Sequence, residues 1–165
     1  MSENHVPQEK APRPTIVQMI ALEILIMSCD VNAYYRIFAW YRLVRIWTCC
    51  RADDTLHWSP SSMRLGSSCL SLDIMQTKTT GPDKRVKILH AYVSKSASLT
   101  GLLWLNEGFG LLMTSGFSSP RSFFLCTPTE NRQAFSDQRA NYEDISRMSR
   151  ELLRLPNCPA HDGLT

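Results

Sequence analysis

The chain has 165 residues, with 18 Lys and Arg against 15 Asp and Glu, four His and six Cys. That length suits one domain with a real core and is short for two. A formal net charge of +3 permits a nucleic-acid partner without arguing for one, because a dedicated DNA-binding domain is usually more basic.

The cysteines, Cys29, Cys49, Cys50, Cys69, Cys126 and Cys158, include no Cys-x-x-Cys pair. Neither a zinc framework nor a disulfide-stapled mini-domain is expected, and the thiols read as reduced, mostly small core residues. Cys158 and His161 could offer two metal ligands, but two more have no evident source. No metal or other cofactor is expected.

In chain order, residues 1–14 are polar and Pro-rich, resemble neither a signal nor a transit peptide, and are expected to be disordered. "TIVQMIALEILIMSC" is strongly apolar but contains Glu23 and falls short of the roughly 20 residues a membrane span needs. Pro14 and Thr15 open it as a buried helix running to about Cys29. Asp30 is placed to cap a second helix over 31–50. Tyr34, Phe38, Tyr41, Val44 and Thr48 recur on it at helical spacing as a core stripe, with Arg36, Arg42 and Arg45 largely elsewhere.

"SPSSM" predicts a turn. "LSLDIMQTKT" then alternates Leu70, Leu72, Ile74 and Gln76 against Ser71, Asp73, Met75 and Thr77. "TGPD" is a turn, and "RVKILHAYV" alternates again, with Val86, Ile88, His90 and Tyr92 on one face. Residues 69–93 are thus expected to form an antiparallel hairpin with Lys78 near its end. Residues 95–116 read as a helix weakened by Gly101, Gly108 and Gly110. "FSSPRSFFLCTPTE" is a connection. A last helix capped by Ser136 carries Ile145, Met148 and Leu152 on one face and stops at Pro156. The expected class is α+β, mainly helical, with a small hairpin inserted between helices. Its domain would span 15–155, followed by a tail over 156–165.

Two short motifs carry chemistry. Arg51 and Asp54 form an Arg-x-x-Asp at the end of the second helix, and Lys78 centres a Thr-Lys-Thr ahead of the hairpin turn. Singly, each is ordinary: a local ion pair is worth a few tenths of a kcal/mol, and a Lys near a turn usually faces solvent. In order, "CCRADDTL" and "MQTKTTGPDKRVKIL" resemble the catalytic domain of the tyrosine recombinases, the DNA breaking-and-rejoining integrases. There the first Arg lies in a Gly-x-Arg-x-x-Glu block and the Lys in a block like x-Thr-Lys-Thr-x(several)-Arg-x-Val-Pro-Leu. The wording is similar to recombinase-like reading frames associated with mobile elements in fungal genomes. The resemblance covers roughly residues 14–155, and its specific part lies in 45–93.

The resemblance implies a DNA partner, a nuclear location and a division of roles. Arg51 would grip non-bridging phosphate oxygens, Asp54 would orient it, and Lys78 would protonate the leaving oxygen as general acid. Lys84, Arg85 and Lys87 would add backbone contacts. The family also needs a His-x-x-Arg and a nucleophilic Tyr. The four His here are followed at the third position by Gln8, Pro60, Val93 and Leu164, and no Tyr follows Tyr142. Losing one charge-stabilising donor typically costs about 10²–10³ in rate, and losing the nucleophile removes the pathway. The expectation is a C-terminally truncated, inactive recombinase-like domain with residual phosphate affinity, and with apolar surface left open to self-association. A small non-enzymatic helical interaction protein is the alternative. A hydrolase or nuclease of another type is disfavoured, since no Ser-His-Asp spacing, Gly-rich phosphate loop or HExxH pair is present.

Overall fold

The computed structural model describes residues 14–114 and 123–155. The expectations for 1–13 and 156–165, including Cys158 and His161, lie outside them.

Helix α1 (Ile16–Met27) starts where Thr15 and Gln18 cap each other, side chain to backbone, at 3.2 and 2.9 Å. The expected all-round burial is not found. Leu22, Leu25 and Ile26 are buried, whereas Ile16, Val17 and Ile24 face outward. No described helix is long and apolar enough to cross a membrane.

Helix α2 (Ala33–Trp47) runs through the core, and Tyr34, Phe38, Tyr41 and Val44 are fully buried on it, as the stripe requires. Its start corrects two expectations. Asp30 does not cap it, and the residue at the cap position, Asn32, makes no side-chain cap bond. The free N–H groups are instead met from far along the chain: Tyr34 N donates to the Arg132 carbonyl (3.1 Å) and Ala33 N to the Gln133 side chain (3.4 Å). Arg36, expected off the core stripe, is also drawn into the interior. It is buried, donating to the Ile26 carbonyl at 2.8 Å and to Glu107 at 2.6 Å, so one guanidinium ties three helices together.

After a four-residue helix, α3 (Ala52–Thr55), and a 3-10 turn at Pro60–Ser62, a three-stranded antiparallel sheet forms in the order β1 (Arg64–Leu65), β2 (Cys69–Ile74), β3 (Leu89–Ser94). The hairpin is present, with Leu70 opposite Val93 and Ile74 opposite Leu89. It is shorter than expected, because β2 ends at Ile74 and a loop over 75–88 replaces the strand continuation. Leu70, Leu72, Ile74 and Val93 enter the core, while Val86, His90 and Tyr92 are exposed.

The helix expected over 95–116 begins only at α4 (Trp104–Met113). Gly101 adopts φ +78°, a left-handed turn that a helix cannot contain. The N–H groups of Leu99 and Thr100 are pulled instead onto the buried Glu23 carboxylate at 2.8 and 3.0 Å. Within α4, Gly108 packs directly against Trp40 of α2: a Cβ there would lie 2.1 Å from the indole ring.

A second, unexpected sheet pairs β4 (Cys126–Pro128) with β5 (Phe135–Arg139). Ser136 therefore lies in a strand, and α5 (Tyr142–Leu153) is capped by Asn141, which accepts from Asp144 N at 2.9 Å. Ile145, Met148 and Leu152 form its buried face. Rings from α2, the sheet region and the second hairpin close the core, with Tyr41 stacked on Phe124 at 6.0 Å and Trp58 edge-on to Tyr41 at 5.3 Å. Burial of side chains this size contributes roughly 1.5–3 kcal/mol each. Among the described residues the architecture is mixed α+β, five helices with two small antiparallel sheets. "Mainly helical" overstated it.

Candidate phosphate-binding cleft

The helix α2 ends at Thr48, and the chain turns through Cys49, Cys50 and Arg51 into α3. A four-residue helix has little stability of its own, so its position is set by anchors. Thr55 is buried and its hydroxyl meets the Tyr41 hydroxyl at 2.6 Å. The chain beyond α3 then runs beside the end of β2: Met75 N donates to the His57 carbonyl at 2.9 Å and Ser59 N to the Asp73 carbonyl at 3.0 Å. These bonds fix α3 against the segment that leads to Lys78.

That segment is also tied down. The Thr77 hydroxyl accepts from Thr79 N and Thr80 N at 3.2 and 3.1 Å, and Thr77 N donates to the Thr80 carbonyl at 3.0 Å. Ser and Thr side chains hold short turns in this way. Thr80 is buried beneath the turn, and Lys78 projects from its exposed side.

Together these elements enclose a cleft of about 310 Å3, lined by Arg51, Asp53, Asp54, His57, Gln76, Thr77 and Lys78. Arg51 and Lys78 thus come from separate elements to one concave surface. Both are exposed, and among the described residues neither is in a salt bridge. Asp54 joins them but not as an ion-pair partner of the Arg51 side chain. Its carboxylate accepts the Arg51 backbone N–H at 2.9 Å, which caps α3 and holds the Arg51 main chain. Leaving His57 aside, the two cations and two carboxylates of the lining cancel formally.

The other three basic residues do not line the cleft. Lys84, Arg85 and Lys87 are exposed on the 75–88 loop, where the Lys87 ammonium donates to the Pro82 carbonyl. The side-chain stems of Lys84 and Gln76 both flank Gly81. Sequence reasoning missed His57, Gln76 and Asp53 as lining residues. Gln76 reads as part of an alternating strand, and nothing local marks His57 or Asp53. Thr77 was visible only as part of the Thr-Lys-Thr wording.

Cys50, just before Arg51 in the chain, is half-buried. Burial pushes its thiol pKa up, while the Thr48 and Trp58 side chains pull it down.

No family model matches the chain, and no curated protein matches it. Among solved structures it is similar to an FLP recombinase–Holliday junction complex, with a TM-score of 0.46 and 14% identity, over 90% of this chain and 36% of that chain. The chain thus spans about a third of that protein's length. An overlap this loose establishes neither a shared fold nor a shared activity.

Proposed function

We propose that the cleft between α3 and the 75–80 turn binds the phosphate backbone of DNA, with Arg51 and Lys78 as its two anion grips. The observation that carries this reading is their convergence on one concave surface with no salt-bridge partner for either among the described residues. A guanidinium donates in pairs to non-bridging oxygens, an ammonium adds a mobile point charge, and Thr77 and Gln76 supply neutral polar groups. Asp53 and Asp54 oppose an anion, so affinity is modest and depends on Lys84, Arg85 and Lys87 extending the contact along the backbone.

The motif wording supports reading this cleft as the first part of a tyrosine-recombinase-like site from a mobile element, acting in the nucleus. Arg51 then stands as the phosphate grip, Asp54 as the group that holds its backbone, and Lys78 as the acid. These 165 residues contain no His-x-x-Arg, and the last Tyr, Tyr142, stands exposed at the start of α5. We therefore assign them binding without strand cleavage. A second reading, a non-enzymatic interaction protein, draws on the exposed apolar residues Ile16, Val17 and Ile24 on α1 and Leu103 ahead of α4.

A salt titration separates the two. Each phosphate contact contributes about −0.9 to the slope of log K against log salt for duplex DNA. Because the two grip one phosphate, removing both in Arg51→Ala/Lys78→Ala should make the slope shallower by about that amount. Absence of binding at low salt, or slopes unchanged by both substitutions, would favour the interaction protein.

A further inference from the structure

We propose that Cys49 and Cys50 close a reversible disulfide between adjacent residues, and that closing it draws Arg51 out of the cleft. The disulfide goes beyond the DNA reading; its effect on the cleft rests on that reading.

The first observation is backbone conformation. Cys49 sits just past the end of α2 at φ +55°, with its N–H bonded to the Ile46 carbonyl at 3.0 Å. This left-handed position usually belongs to glycine, which meets no steric penalty there. A cysteine holds it against that penalty. Outliers of this kind collect at functional sites.

The second is the surroundings of the two sulfurs. The Cys49 thiol is exposed, where an oxidant can reach it. The Cys50 sulfur lies 3.1 Å from the Thr48 hydroxyl. The Trp58 indole N–H is fully buried without a hydrogen-bond partner.

The third is strain. No peptide bond among the described residues is cis, and trans neighbours have Cα atoms about 3.8 Å apart. Unstrained disulfides usually span about 4.4–6.8 Å, and strained ones are readily reduced, which is the behaviour of regulatory bonds.

Oxidised glutathione serves as the oxidant. The Cys49 thiolate attacks one of its sulfurs, breaking that S–S bond and releasing one glutathione thiolate. The Cys50 thiolate then attacks the Cys49 sulfur of the mixed disulfide and displaces the second. Two electrons pass to glutathione, and the two protons given up by the cysteines end on its two thiols. Closing the ring moves the Cys50 sulfur off Thr48 and turns the following peptide, which breaks the Arg51 N–H bond to Asp54.

The full chain is equilibrated in glutathione buffers of rising oxidised fraction, free thiols are trapped with N-ethylmaleimide, and tryptic peptides are weighed. The peptide Ile46–Arg51 contains both cysteines and no other. It should lose two hydrogen masses and take no maleimide, reversibly with dithiothreitol. The oxidised protein should bind duplex DNA about tenfold more weakly, the loss of one charge-assisted contact. Cys49→Gly suits the backbone, so it should fold and bind normally and lose all response to oxidation. Two maleimides on the peptide at every redox poise, a lasting single glutathione, or a disulfide between chains would overturn the dithiol proposal. A disulfide that forms without changing DNA affinity would overturn the link to Arg51. If the reduced protein binds no DNA, the cleft reading fails while the peptide mass still decides the disulfide.

Discussion

Glu23 is the only acid in α1, and its side chain is completely buried among apolar neighbours. One carboxylate oxygen accepts Leu99 N at 2.8 Å; the other accepts Thr100 N at 3.0 Å and the hydroxyls of Ser98 and Thr100 at 2.9 and 2.5 Å. Glu23→Gln keeps the size and one oxygen but turns an NH2 toward the second set of donors. The two hydroxyls can rotate to accept from it, whereas the backbone N–H of Thr100 or Leu99 cannot. At least one partly buried N–H then loses its acceptor, at about 1–3 kcal/mol, and the surviving bonds lose their charge assistance. We expect a loss of about 2–4 kcal/mol, which at a urea dependence of about 2 kcal/mol per molar lowers the midpoint by roughly 1–2 M. Urea unfolding followed by the fluorescence of buried Trp40, Trp58 and Trp104 measures it, with Ile24→Gln as the exposed neighbour control. A Glu23→Gln midpoint equal to that of the control would refute the claim that this carboxylate anchors the 98–100 turn.

Other substitutions test other parts of the structure. Gly108→Ala drives a methyl into the Trp40 ring and should cost about 3 kcal/mol or more in thermal or urea unfolding, at the upper end of overpacking effects. Burial raises the Tyr34 pKa far above the ordinary tyrosine value, and those of Tyr35 and Tyr41 also rise. In the unfolded chain these phenols ionise near pH 10 while the native ones keep their protons. Stability must therefore fall as pH climbs above about 10, by up to about 1.4 kcal/mol per pH unit per tyrosine. Tyr34→Phe should lessen that slope while losing about 1 kcal/mol at neutral pH with the bond to the Cys126 carbonyl, 2.9 Å in the parent. Asp53→Asn removes a carboxylate from the cleft lining and should tighten DNA binding at low salt several-fold, with the gain shrinking as salt screens it. Weaker binding would mean Asp53 serves the site rather than opposing it.

Local pattern revealed those elements whose determinants are local. The start of α1 at Thr15, the stripe on α2, the face of α5 and the pairing of β2 with β3 could all be read from the sequence. Elements set by distant partners could not. The α2 start depends on Arg132 and Gln133, a hundred residues on, so Asp30 looked like the cap. The 95–103 segment has helical composition, but Glu23 claims its N–H groups. Strand β5 buries only Phe135 and exposes three of its other four residues, so it showed no alternation. At the cleft, wording marked Arg51, Asp54 and Lys78, but not that Asp54 would hold backbone rather than guanidinium. His57 and Gln76 arrive there only because residues 57–59 lie along the end of β2, a pairing with no local signature.

The central claim is that Arg51 and Lys78 act on one phosphate rather than on two unrelated stretches of surface. A double-mutant cycle on duplex-DNA affinity at fixed low salt, using Arg51→Ala, Lys78→Ala and the pair, tests it most directly. Groups sharing a partner couple by about 0.5–3 kcal/mol, so the double variant should lose measurably less than the sum of the singles. Additive losses would place the two cations on separate contacts, and no loss in either single would remove the cleft from DNA binding altogether.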